Sequence, residues 1–184
     1  MKNKKNMIVI AVIMIFVLLS AGLSAFFIFG TREKTSTDID KWHVLQENYP
    51  CLPAVDEMGE YTEIQFKHLQ KNNSIFFLSN AYILKATYPK DQYEKQKKHI
   101  TNNILYDETV NNRGEQINAS FAFDGFSFQM LSLEKYNFLY PKEFAFVGVS
   151  DTTNQIAFVF YSDIDLDYID TSFDVFLTEE CGWE

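Results

Sequence analysis

From Met7 to Gly30 the chain carries no charged residue, and nothing else in the sequence limits its fold as strongly. As a helix this run would reach about 36 Å, against a bilayer hydrocarbon core of roughly 30 Å. A lone segment in lipid must be helical, because every backbone polar group has to be satisfied internally. Lys2, Lys4 and Lys5 precede the run, whereas Arg32 and Lys34 after it are diluted by Glu33, Asp38 and Asp40. Positive residues stay on the cytoplasmic side. The expectation is a single-pass cell-membrane protein with a cytoplasmic amino terminus. Residues 1–6 are its cytoplasmic basic tail and 7–30 its transmembrane helix, with the lipid bilayer as partner. Residues 31–40 form a juxtamembrane linker and 41–184 an extracytoplasmic domain.

The main rival is a cleaved signal peptide, for which Ser20-Ala21-Gly22 offers a small-residue site. The apolar run continues through Phe26, Phe27, Ile28 and Phe29, longer than a usual signal core, which favours an uncleaved anchor. Leu23 stands where a lipoprotein signal needs its lipidated cysteine, so lipidation there is excluded. A pilin-like assembly helix is disfavoured because no acid lies near the start of the run. Asn72 and Asn118 begin Asn-x-Ser patterns, too short to carry weight.

The remaining residues are enough for one domain. With 47% hydrophobic and 16% aromatic residues, and only 7 Gly and 4 Pro, the composition is that of a packed core. A net charge of −9 disfavours a nucleic-acid partner, since phosphate binding needs clustered Lys and Arg. The acid is concentrated at the end: Asp151 to Glu184 contains nine Asp and Glu and no Lys or Arg. That reads as a solvated acidic face, with a cation or basic partner as the sharper alternative.

Along the domain, Ile39, Trp42 and Leu45 fall at helical spacing behind Asp38 as N-cap, and Pro50-Cys51-Leu52-Pro53 ends that helix. From Tyr61 to Leu69, Ile64, Phe66 and His68 alternate with Glu63, Gln65 and Lys67, a half-buried strand. Lys71-Asn72-Asn73 signals a turn, and Ser74 to Tyr88 is strand-like. Asp91 to Glu94 has capping-box spacing, and Tyr93, Lys97, Ile100 and Ile104 make a helical stripe running to about Leu105. Asp124-Gly125 supplies the positive φ angles of a type I′ turn between strands 117–123 and 126–131. In that hairpin Phe121 and Phe123 are assigned one face, and Phe126, Phe128 and Met130 another. Glu143 to Ser150 and Gln155 to Tyr161 form a second hairpin, apolar enough for central strands covered on both sides. A last helix is capped by Thr171 to Asp174, buries Phe173, Phe176 and Leu177, and stops at Gly182. The fold class is therefore α+β: one amino-terminal transmembrane helix, then a mainly antiparallel sheet with helices packed on one face.

Chemistry is less legible. Cys51 and Cys181 bracket the domain, and outside the membrane a bridge between them would contribute about 5 kcal/mol by chain-entropy arithmetic. Two unpaired thiols are the alternative, and no motif places a His or acid beside either for catalysis. Asp163, Asp165 and Asp167 are spaced like the start of a calcium loop. Tyr168 stands where the loop needs Gly and Asp174 where it needs Glu, so the run reads better as the tail of a half-exposed strand. His43, His68 and His99 are far apart, with His68 expected at the edge of the core and His99 exposed. No nucleophile elbow, phosphate loop or dinucleotide fingerprint occurs, so no catalytic residue, metal or cofactor is expected. Lys85, Lys90, Lys95, Lys97 and Lys98 give the helix after Pro89 a basic side, read as a solvated face. The leading expectation is a membrane-anchored domain that binds, scaffolds or senses, with a protein partner at the cell surface. The alternatives are a cell-envelope hydrolase using carboxylates, and a subunit of a membrane complex packing through Ser20, Gly22 and Ser24. Lys, Asn and Ile usage fits a bacterial source.

Overall fold

The computed structural model describes residues 2–30, 32–72, 78–103, 109–112, 115–118, 120–131, 142–163, 177–178 and 181–183. Three α-helices lie among them: α1 (Lys2–Gly30), α2 (Asp40–Asn48) and α3 (Lys90–Asn103). The strands are β1 (Arg32–Ser36), β2 (Glu63–Asn72), β3 (Leu78–Thr87), β4 (Thr109–Asn112), β5 (Glu115–Asn118), β6 (Ser120–Phe123), β7 (Phe126–Met130), β8 (Lys142–Ser150) and β9 (Gln155–Asp163). Seven of them make one sheet in the order β1-β2-β3-β9-β8-β7-β6, antiparallel at every pairing. β4 and β5 form a separate two-stranded ladder. The protein is α+β.

Period-two alternation along the central strands divides the interior into two cores. Ile156, Phe158 and Phe160 of β9, Ala145 and Val147 of β8, and Leu84 and Ala86 of β3 point to one face. The intervening Ala157, Val159, Tyr161, Phe144, Phe146 and Ile83 point to the other. The first face is covered by Trp42 and Leu45 of α2, by Tyr93 and Ile100 of α3, and by Leu52 and Met58 between the two helices. We call it the helix face. The far face is filled by Phe126, Phe128 and Met130 and closed by Leu177, Cys181 and Trp183. The expectation of doubly covered central strands, with helices on one side, matches this arrangement.

α3 is tied to the sheet at its own turn. The Tyr93 hydroxyl donates to Asp151 Oδ1 at 2.6 Å, and Lys97 Nζ reaches the same oxygen at 2.5 Å. These two donors, Lys97 first, hold the Asp151 carboxyl below its ordinary range. Asp151 opens the β8–β9 turn, which closes through Asn154 at φ 50°.

Several details depart from the sequence reading. Residues 32–36 are not a linker. They form β1, with Glu33 opposite Lys71 and Lys34 opposite Gln70. An edge strand needs only one neighbour and gains from charge that blocks further pairing, so its composition hides it. α3 begins one residue before Asp91: the Tyr93 N–H bonds to the Pro89 carbonyl at 2.8 Å, placing Asp91 in the first turn and not at the cap. Strand 117–123 is divided between β5 and β6. In the β6–β7 hairpin the type I′ turn is as expected, with φ 47° at Asp124 and 75° at Gly125. It sets Phe123 opposite Phe126 and Phe121 opposite Phe128. Directly opposed residues share a face, so all five apolar side chains meet the far core together and not on two sides. The turn after Lys71 and most of the last helix, including Phe173, Phe176 and its cap, lie outside the described residues.

α1 stands apart from both cores. Its side chains are described from Ile10 to Ser24, about 22 Å of helix. Among the described residues no helix is long and apolar enough to cross a membrane. The transmembrane helix expected at 7–30 therefore has no support at this level.

Gly148 of β8 lies opposite Phe128 of β7, and a Cβ there would come within 2.4 Å of the Phe128 ring. That ring is fully buried and has nowhere to go. Gly148→Ala should therefore destabilise the domain by about 1–3 kcal/mol. The expected readout is a lower midpoint with unchanged slope in urea unfolding.

Candidate functional site

Among the described residues a concavity with both polar and apolar walls lies on the helix face, between α3 and the segment that follows α2. Pro50 and Pro53 prevent α2 from continuing, and the turn they form is pinned from both sides. The Leu52 N–H bonds to the Tyr49 carbonyl, and the Trp42 indole N–H donates to the Pro53 carbonyl at 3.0 Å. A short 3₁₀ turn, Val55–Met58, follows, with Glu57 Oε2 accepting the Ala54 N–H at 3.3 Å. Gly59 ends it at φ 72°, where a Cβ would meet Gln96 Nε2 at 2.3 Å. Glycine at this position thus lets the turn approach α3.

The resulting cavity has a volume of about 210 Å³. Leu52, Met58, Tyr88, Ile100 and Phe158 supply its apolar walls, and Cys51, Glu57, Gln96 and His99 its polar ones. The structure therefore gathers a cysteine, a histidine and a carboxylate that sequence spacing left apart. In the sequence Pro50 and Pro53 mark a break in the chain there. Burial pushes the Cys51 thiol up to about 11. A thiol in that state is not a nucleophile near neutral pH, so the chamber suits a small apolar group with hydrogen bonds at its rim better than thiolate chemistry.

The structure does not join Cys51 to Cys181. Cys51 borders the helix-face core and Cys181 is fully buried in the far one, with the sheet between them. Of the two readings open in the sequence, a bridge or two separate thiols, the structure carries no bridge. Of the calcium candidates, Asp163 ends β9, where it is buried and accepts the Tyr161 hydroxyl at 2.9 Å. Asp165 and Asp167 lie outside the described residues. Among the described residues no three His, Cys, Asp or Glu side chains are grouped to hold a metal.

The basic side expected of α3 is partly dismantled. Lys97 is engaged by Asp151. Lys85 belongs to β3 and faces the far core, its Nζ 4.1 Å above the Trp183 ring. Burial lowers the affinity of Lys85 for its proton, Asp124 works against that, and Lys67 adds to it. Around Trp183 the chain end is clasped: Lys67 Nζ donates to the Gly182 carbonyl at 2.6 Å, and the indole N–H donates to Asp124 Oδ2 at 2.8 Å. Beside this clasp Thr35, Thr37 and Gln65 border a second cavity of about 230 Å³.

The three histidines diverge. His43 is exposed on α2, and His99 is exposed at the cavity mouth. His68 is buried on the helix face and stacks on Tyr82 with ring centroids 4.2 Å apart. Its Nδ1 lies 3.2 Å from Lys41 Nζ and its Nε2 3.2 Å from Asn80 Oδ1. On the same face the Tyr49 hydroxyl donates to Glu143 at 2.6 Å. Compared with protein-family models, with curated proteins and with solved structures, the chain matches none.

Iodoacetamide should label Cys51 slowly near neutral pH, with a rate that climbs about tenfold per pH unit toward the thiol's pKa. Cys181, fully buried, should stay unlabelled until the domain unfolds. Peptide mass spectrometry reads both. Labelling of Cys51 at the rate of an unhindered thiol would contradict the burial assigned to it.

Proposed function

We propose that the chain is a single-pass membrane protein whose α+β domain sits on the extracytoplasmic side and binds or senses a partner without catalysis. The observation that carries the reading is the surface of α1. Ile10, Val12, Ile13, Met14, Ile15, Phe16, Val17, Leu18, Leu19 and Leu23 are each 57–75% exposed. Consecutive positions point in all directions around a helix, so from Ile10 to Leu19 the apolar surface is continuous, and from Ile10 to Ser24 no side carries charge. α2 and α3 differ: each buries one stripe and presents charge on the other. Soluble proteins rarely leave so large an apolar surface in water, and lipid is the solvent that accommodates it.

Lys2, Lys4 and Lys5 support a cytoplasmic amino terminus. The chamber beneath Pro50 and Pro53, with its protonated thiol, supports a binding role. The net charge of −9 argues that the partner is not a nucleic acid.

Alkaline carbonate washing of membranes from cells making the protein should leave it in the pellet. A tag fused behind Glu184 should be digested by protease added to intact cells. Phe16→Asp combined with Leu18→Asp should move the chain to the soluble fraction, since each charge at a helix centre costs about 2.5–3.5 kcal/mol of insertion. Release of the unaltered chain by carbonate would overturn the proposal.

A further inference from the structure

His68 occupies the joint through which α1 reaches the rest of the domain. It is the β2 partner of Ser36, the last residue of β1, and it touches Lys41 in the first turn of α2. Its hydrogen bonds define its state. Asn80 Oδ1 also accepts from Gln70 Nε2 at 3.1 Å, which turns the Asn80 amide oxygen toward the imidazole. Nε2 therefore carries the proton and donates, leaving the Nδ1 lone pair to accept from the Lys41 ammonium. This is a neutral imidazole held by a cation.

The groups facing His68 leave no route for a second charge. On β3 they are Tyr82, stacked on the ring, and Asn80. On β1 the opposed residue is Ser36, and on α2 it is Lys41. The carboxylate of Glu143 on β8 is engaged by Tyr49. Among the described residues no carboxylate contacts His68.

We infer that Lys41, His68 and Asn80 form an acid-released catch that fastens the β1–α2 segment to the sheet. Protonation adds a hydrogen to Nδ1, the atom that accepts from Lys41. Two cations then face each other at 3.2 Å, beside a buried ring. The bond becomes a repulsion, and the piece able to move is Lys41 with the first turn of α2, because β2 is fixed by pairing on both sides. Burial, the largest influence, and Lys41 both push the imidazole below its ordinary value, while the Asn80 contact works the other way. A histidine lowered in the folded state adds stability that is complete above its unfolded value, about 6.5, and is lost as the pH falls through the folded one. The window of release therefore lies below about pH 6.5. This inference stands on the fold alone, whatever medium α1 occupies.

The test uses the full chain in lipid nanodiscs with isotope-labelled histidine. Nitrogen shifts should report an Nε2-protonated neutral ring for His68 and a midpoint below about 6.5. Hydrogen exchange at residues 37–44, corrected for intrinsic rates, should accelerate at least about tenfold between pH 7.5 and pH 5, while β8 and β9 stay protected. Lys41→Met should raise the His68 midpoint and blunt the acceleration, a response that a merely structural lysine would not give. A His68 midpoint at or above 6.5, exchange at 37–44 that ignores pH, or a midpoint unmoved by Lys41→Met would each overturn the inference.

Discussion

Burial on both faces of β3, β9 and β8 is the constraint on which the rest of the structure depends. A strand with one wet face alternates apolar with polar residues. β8 and β9 bury apolar residues on both sides, and β3 does so through Ala81, Ile83, Leu84 and Ala86, so each side needs its own cover. The far side obtains it from the Phe-rich β6–β7 hairpin and the Trp183 end, the near side from α2, the proline turn and α3. Two cores of moderate thickness, separated by one sheet, follow from the single hairpin 142–163. Gly148 shows how closely the far core is fitted, since the Phe128 ring occupies the space a side chain would need.

Much of this was legible in sequence because it rests on local periodicity. The type I′ turn at Asp124-Gly125, the turn at 151–154, the alternation around Phe66 and the Trp42–Leu45 stripe are short-range signals with steric causes. What escaped depends on partners distant in the chain. β1 is a strand only because β2 lies beside it, and nothing in Arg32–Ser36 announces that. The shared face of Phe121 and Phe128 comes from register, which counting along one strand does not provide. Sequence left open whether Cys51 and Cys181 pair, and the sheet that lies between their two cores is visible only in three dimensions.

The site shows the same limit. Cys51, Glu57 and His99 share a cavity because a 3₁₀ turn approaches α3 at Gly59. No spacing rule links residues 51, 57 and 99. His68 was expected near the core edge and is found there, but its contact with Lys41 arises from the path of β1 into α2. Burial, which sequence composition does not reveal, pushes the Cys51 thiol up and the His68 imidazole down.

α1 ends at Gly30 and β1 begins at Arg32, so one residue of sequence, with a reach of about 3.5 Å, separates the apolar helix from the sheet's edge. On the proposed membrane placement this is a very short leash. The domain could not sweep the cell surface as a module on a long stalk does. Anything it recognises would have to stand within one molecular width of the anchor, and would meet it there at high local concentration.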